Sequence, residues 1–221
     1  MTLLDHCAGG SLLDKPTVID RFDERGTVEE LKARIWEDLL PAQREFVSDE
    51  SHRILGYIGG FGSGKSYALC AKAIWLGMSN PGTTAMVAEP SFPMIRTVLV
   101  PAMDLALEQW GIDYDYRVSP QPEYVLKLPN GNVKLLAQSA ENWQRVRGQN
   151  ISFCLWDEAD TSPVDTAEKA GQMFLARMRT GKVNQLAIAS TPEGFRYCYR
   201  QFEEQKGKDK RLIRVKTKDN P

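Results

Sequence analysis

Apolar and polar positions along this chain follow two alternating periods. Ile54–Ile58 is a short apolar run that ends in Gly59-Gly60, and Thr84–Ala88, Ile151–Trp156, Gln185–Ala189 and Leu212–Val215 are similar runs. Runs of this length bounded by turn residues predict buried strands. Between them the spacing is helical over Ser66–Met78, Ile95–Trp110, Thr166–Met178 and Phe195–Gln205, with Pro101 interrupting or starting the second. Upstream, Thr27-Val-Glu-Glu30 reads as a capping box for a helix carrying Leu31, Ile35, Trp36 and Leu39, and Pro41 starts a short one. Tyr114–Ser139 differs. There Tyr124–Leu128 and Val133–Leu136 flank Pro129-Asn130-Gly131-Asn132, and Asn-Gly between apolar runs predicts a hairpin. Strands separated by helices imply βαβ units and a mostly parallel sheet covered on both faces. Residues 1–26 read as an irregular N-terminal segment.

Composition narrows the class. The chain has 221 residues with a net charge of −1, 42% hydrophobic and 26% charged content. These values fit a globular domain and exclude a disordered chain, a collagen or a coiled-coil rod. They also exclude a uniformly basic DNA-coating protein. Cys7, Cys70, Cys154 and Cys198 are scattered, without metal-ligand spacing, so free thiols and an intracellular site are expected. His6 and His52 read as plain surface residues, and neither a membrane span nor a secretory signal is evident.

The chemistry concentrates at strand ends. Gly59, Gly60, Phe61, Gly62, Ser63, Gly64, Lys65 and Ser66 match G-x-x-x-x-G-K-[ST], with a strand before and a helix after. Glycines let backbone N–H groups turn toward a phosphate, Lys65 would reach the β- and γ-phosphates, and the Ser66 hydroxyl would ligate Mg²⁺. Phe153–Trp156 then delivers Asp157 and Glu158 at a strand end. Asp157 would hold Mg²⁺, directly or through water. Glu158 would polarise an attacking water, which suits hydrolysis better than phosphoryl transfer. Ser190, Thr191 and Pro192 end the next strand, either as a segment sensing the γ-phosphate or as a strand cap and turn. Gln43 presents an amide that would match the adenine edge and select ATP, or is an exposed helix glutamine.

In this order, Gln43, Gly59–Ser66, Trp156-Asp-Glu158 and Ser190-Thr-Pro-Glu-Gly-Phe195, with Tyr197, Tyr199 and Phe202, resemble the ATPase domain of the large terminase subunit of tailed bacteriophages. The resemblance covers about Leu31 to Pro221. It implies a P-loop NTPase fold of the RecA-like ASCE type over residues 27–221, with an added β-hairpin around 114–139. It implies an Mg²⁺-dependent ATP hydrolase that drives double-stranded viral DNA into a procapsid. Portal protein and the small terminase subunit would be its partners. It would form a homo-oligomeric ring when active, be monomeric when isolated, and work in the host cell cytoplasm without a membrane. The family's nuclease domain would begin where this chain ends, so no nuclease activity is expected of it. Where many members carry an arginine in the phosphate loop, Phe61 stands here. A γ-phosphate-stabilising arginine must then come from elsewhere. Arg147, with Arg145 in reserve, matches an Arg-Gly placed before the acidic strand; both are otherwise surface arginines or DNA contacts. The basic stretch Arg196–Lys218 reads as a DNA contact or a solvated face. A superfamily 2 helicase fragment and a nucleotide-gated assembly module are the competing readings.

Overall fold

The computed structural model describes residues 26–217. The expected irregular segment up to residue 25, Cys7, His6 and Lys218 lie outside the described residues. The capping box forms. Glu30 N–H donates to Thr27 Oγ1 at 3.1 Å and Thr27 N–H to Glu30 Oε2 at 2.7 Å, opening α1 (Val28–Asp38). α2 (Pro41–Ser48) leads into β1 (Ile54–Gly59), α3 (Lys65–Ser79) and β2 (Thr84–Glu89). Next, a turn at Phe92–Met94 passes through a π turn, Ile95–Leu99, into α4 (Val100–Gln109). Pro101 explains the wide turn. It lacks the N–H that would continue the ladder, and Val100 N–H reaches back to the Ile95 carbonyl instead.

The remaining strands are β3 (Tyr114–Arg117), β4 (Glu123–Leu128), β5 (Gly131–Ser139), β6 (Cys154–Asp157), β7 (Leu186–Ser190) and β8 (Lys210–Val215). α5 (Val164–Arg177) joins β6 to β7, and α6 (Tyr197–Tyr199), continued by a π turn Arg200–Glu204, joins β7 to β8. They form one sheet in the order β3-β4-β5-β2-β6-β7-β1-β8. β5 pairs in parallel with β2, so the expected hairpin extends the central sheet and carries an unforeseen edge strand, β3. Leu128 pairs with Gly131, which puts the turn at Pro129-Asn130, one residue earlier than the Asn-Gly signal implied. The expected strand Ile151–Trp156 shortens to Cys154–Asp157, with Ile151 in an isolated bridge to Met178.

Both faces are covered. Leu31, Phe46 and Ile74 of α1–α3 pack with Val87 and Leu155 on one face, while Phe174 of α5 and Tyr197 of α6 pack with Ile58, Trp156 and Ile188 on the other. Strand alternation then places Asp157, one step beyond Trp156, on the α3 face. Cys70, Cys154 and Cys198 are buried free thiols.

A polar hub holds the opposite end of the sheet. The Asp49 carboxylate accepts from Ser51 N–H at 3.0 Å, His52 N–H at 3.2 Å and Arg211 Nη1 at 3.0 Å, and pairs with His52 Nδ1 at 2.8 Å. His52, expected to be a plain surface residue, is therefore tied to Asp49 through its backbone and its ring. The Asp49 carbonyl accepts from Lys72 Nζ of α3 and from Gln185 Nε2 beside β7. Burial acts to raise the Asp49 carboxyl, but Arg211, Ser51 and His52 outweigh it and hold it well below the usual carboxylate range. A group depressed in this way contributes stability above its unfolded pKa of about 4, lost as pH falls through the folded value. Asp49→Ala is expected to cost roughly 3 kcal/mol at neutral pH. Urea unfolding should show that deficit shrinking below about pH 4; an equal deficit at all pH values would refute the linkage.

Candidate active site

β1 delivers the phosphate loop to the carboxyl edge of the sheet. Gly62 and Gly64 have φ of +72° and +74°, a region that costs an L-residue about 1–2 kcal/mol. Ser63 Oγ donates to the Gly60 carbonyl at 2.7 Å and braces the curl. At the start of α3, Lys65 is 6% exposed, and its Nζ donates to the carbonyls of Gly59 (3.1 Å) and Gly60 (3.0 Å). The same Nζ stands 3.7 Å from Glu158 Oε1. Ser66 Oγ donates to Asp157 Oδ2 at 2.8 Å. Burial pushes the Asp157 carboxyl up to about 6; the Ser66 bond opposes this and the Glu158 charge adds to it. The strand between the phosphate loop and the acid-tipped β6 is β7.

Glu158 is the one non-glycine residue with positive φ among the described residues, at φ +44°. Such a backbone persists where its surroundings over-determine it. Here its N–H donates to Ala189 O at 2.7 Å, and its carboxylate is clamped by Thr191, from N–H at 2.9 Å and from Oγ1 at 3.0 Å. The two motifs read separately along the chain are thus one hydrogen-bonded unit. Ser190 Oγ accepts from Asp160 N–H at 3.1 Å, while Pro192 is exposed.

Two acids at this end escaped the sequence reading. Asp160 is 1% exposed, and its carboxylate accepts from Cys198 N–H at 2.8 Å, tying the 190–198 loop to the acidic strand. Its spacing in Asp157-Glu-Ala-Asp160 was the available signal. Glu89 ends β2 and is fully buried. An apolar run capped by an acid, the sign that exposed Asp157, was present there too.

Other expectations shift. Gln43 is 3% exposed, so it is not an exposed helix residue. Its Oε1 accepts from Leu40 N–H at 2.9 Å and its Nε2 donates to the Gly64 carbonyl at 3.2 Å, which spends its amide on the phosphate loop. Beside it, Leu40, Pro41, Ala42, Tyr57, Ser63 and Val215 line a cleft of about 460 Å³. Phe61 is 81% exposed, and its carbonyl accepts from Thr217 Oγ1. Arg145 and Arg147 lie in the helical segment Ala140–Gly148 that follows β5, and β5 stands four places from β1 in the sheet. Among the described residues neither makes a hydrogen bond or ion pair to the phosphate loop, and the Arg147 guanidinium lies over Trp143, 5.6 Å from its centroid. The basic C-terminal stretch is largely neutralised. Arg196 pairs with Glu193, Arg200 with Glu168, Lys206 and Arg214 with Glu203, and Arg211 with Glu45 and Asp49.

A phosphate loop one strand removed from an acid-tipped strand, in a mostly parallel sheet covered on both faces, defines a P-loop NTPase fold of the RecA-like kind. Within that class the chain belongs to the terminase large subunits: residues 57–220 match the family described as terminase large subunit, T4likevirus-type, N-terminal. No curated protein matches the chain. Among solved structures, the large terminase of a thermophilic bacteriophage superposes with a TM-score of 0.66 at 12% identity, covering 87% of this chain and 46% of that one. This chain thus spans 46% of that relative's length. The same terminase is also solved in complex with ATP-gamma-S, with a TM-score of 0.64 at 14% identity, over 87% of this chain and 45% of that one. The Thermus phage P74-26 large terminase ATPase domain gives 0.58 at 18% identity, covering 86% and 85%. These likenesses establish the fold.

Proposed function

We propose that this chain is the ATPase unit of a DNA-packaging motor, binding ATP with Mg²⁺ and coupling hydrolysis to movement of double-stranded viral DNA into a procapsid. Residues 27–221 form that unit. The observation that carries the reading is Glu158, an acid in a strained backbone beside Lys65 with both carboxylate oxygens clamped by Thr191. Family membership and the ATP-gamma-S complex of the thermophilic-phage relative support it. Membership also favours it over a helicase fragment, and the intact Lys65, Ser66, Asp157 and Glu158 favour it over a silent assembly module.

The residues divide the work. The N–H groups of Gly60–Ser66 and the Lys65 ammonium bind and orient the phosphates, with Lys65 exchanging loop carbonyls for phosphate oxygens. Ser66 and Asp157 offer hard oxygens at the head of α3, and Asp157 is a buried carboxyl without a full counter-charge, so the pair fits Mg²⁺. That ion, when bound, supplies charge neutralisation at the phosphates. Glu158 accepts a proton from the attacking water. Gln43 anchors the loop through Gly64, and the adjoining cleft takes the base. Through Thr191, Ser190 and Asp160, a change at Glu158 reaches the 190–198 loop.

Arg147 makes no hydrogen bond or ion pair to its own phosphate loop among the described residues, which favours a role in a neighbouring subunit of a ring. Arg96 and Arg145 form no ion pair among the described residues, unlike the C-terminal arginines, and suit DNA phosphates better than that stretch. Portal protein and the small terminase subunit are the proposed partners, in the host cytoplasm.

Steady-state ATP turnover, measured against protein concentration with and without double-stranded DNA, tests this. Specific activity should rise with concentration. Arg147→Ala and Glu158→Gln proteins, each inactive alone, should regain turnover on mixing, because each lacks what the other holds. Turnover independent of concentration, with no recovery on mixing, rejects the arginine in trans. No turnover in any condition rejects the ATPase reading.

A further inference from the structure

Glu89 closes β2 and takes no part in the chemistry assigned above. It is fully buried, and both carboxyl oxygens lack a hydrogen-bond partner among the described residues. Burying an acid without a partner opposes folding, so the position carries a cost that packing does not explain.

Its placement does explain it. β2 and β6 run parallel, with Val87 paired to Leu155 and Ala88 to Trp156. Residues paired in this way share a face: Val87 and Leu155 lie under α3, Ala88 and Trp156 on the far side. One step further on, Glu89 stands beside Asp157 on the α3 face. The Cys70 thiol on α3 registers both acids, being pushed up by its own burial and then by Asp157 and Glu89. Burial, together with the charges of Asp157 and Glu158, pushes the Glu89 carboxyl itself up to about 9. Two buried acids therefore meet at the ligand end of neighbouring strands, and one of them has no hydrogen-bond partner among the described residues.

Such an acid fits a partner that arrives with the nucleotide. Among the described residues no three His, Cys, Asp or Glu side chains converge as a direct metal centre, and Mg²⁺ keeps several of its waters when bound, which such an acid can hold. We infer that Glu89 is a positioning residue for the hydrated magnesium–nucleotide complex, accepting hydrogen bonds from cation-bound water beside Asp157. The inference rests on the reading of Ser66 and Asp157 as the Mg²⁺ ligands.

The test is binding of a fluorescent ADP analogue, titrated with Mg²⁺, to the wild-type and Glu89→Gln proteins. Glutamine keeps the shape and removes the ability to carry a negative charge when the cation arrives. Without Mg²⁺ the two should bind alike, while the Mg²⁺ concentration that half-saturates the affinity gain should rise about 10-fold or more in Glu89→Gln. The melting temperature without nucleotide should not fall, because an unpartnered acid has been replaced by a neutral amide. Equal Mg²⁺ half-points in the two proteins would overturn the inference and leave the Ser66–Asp157 reading intact. Slower turnover with an unchanged half-point would also overturn it, in favour of a direct part in water activation. A wild-type protein whose affinity ignores Mg²⁺ would overturn both readings. Should Glu89→Gln fail to fold, Glu89→Asp decides by the same titration, since a shorter carboxylate that leaves the half-point unmoved would refute the role.

Discussion

Glu158→Gln is expected to lower ATP turnover by about 10²–10⁴-fold, the usual contribution of a positioned general base. The substitution is well matched to the geometry. Glutamine Oε1 can still accept from Thr191 N–H, and its Nε2 can donate to Thr191 Oγ1, so the clamp seen at 2.9 and 3.0 Å survives. The backbone strain at φ +44° is unchanged, because it belongs to the position and not the carboxylate. What disappears is the ability to take a proton from water and the negative charge 3.7 Å from Lys65. Nucleotide affinity should therefore stay close to wild type while kcat collapses, a split that marks a group acting in the transition state. Thr191→Val provides the companion measurement: it keeps the N–H bond and removes the Oγ1 bond, so a smaller fall in kcat is expected. Wild-type-like kcat in Glu158→Gln would remove this residue from the mechanism. Equal losses in binding and turnover would show instead that the side chain is structural.

The parts of this site that could be read from sequence are those written in contiguous residues. Gly59–Ser66 and Trp156–Glu158 announce themselves because a phosphate loop and an acid-tipped strand are local in the chain. The capping box at Thr27–Glu30 was legible for the same reason. What escaped depends on partners distant in sequence. Gln43 looks exposed until α2 is docked, when its amide meets Gly64, 21 residues away. Glu89 looks like an ordinary strand end until β2 pairs with β6 and brings it beside Asp157. Part of the charge balance of the basic run from Arg196 was hidden as well, because Arg200 pairs with Glu168 and Arg211 with Glu45 and Asp49, all far upstream. The placement of β7 between β1 and β6 likewise depends on the β1–β7 pairing, Ile54 with Leu186, between residues far apart in the chain, which no local pattern encodes. The motifs were therefore legible where they are contiguous, and the long-range contacts that join them were not.

Lys65→Ala should be the other severe change, and it should fail differently. Its ammonium is almost fully buried between the Gly59 and Gly60 carbonyls and Glu158, where a positive charge is poorly screened and interacts strongly. Loss of one such preorganised contact to developing charge costs about 10²–10³-fold in turnover. Lys65 also meets the ground-state phosphates, so nucleotide affinity should fall together with kcat, unlike the Glu158→Gln result. Arginine should not rescue it, because a planar guanidinium cannot occupy the space of a compact ammonium between those two carbonyls. Folding should suffer little. Two carbonyls lose a donor, at a net cost of about 1 kcal/mol, and the loop that holds them borders solvent at Phe61. Binding of a fluorescent nucleotide, steady-state kinetics and a melting curve on one preparation separate these effects. If affinity and turnover both survive in a Lys65→Ala protein that melts like wild type, the loop is not the phosphate site and the ATPase reading falls with it.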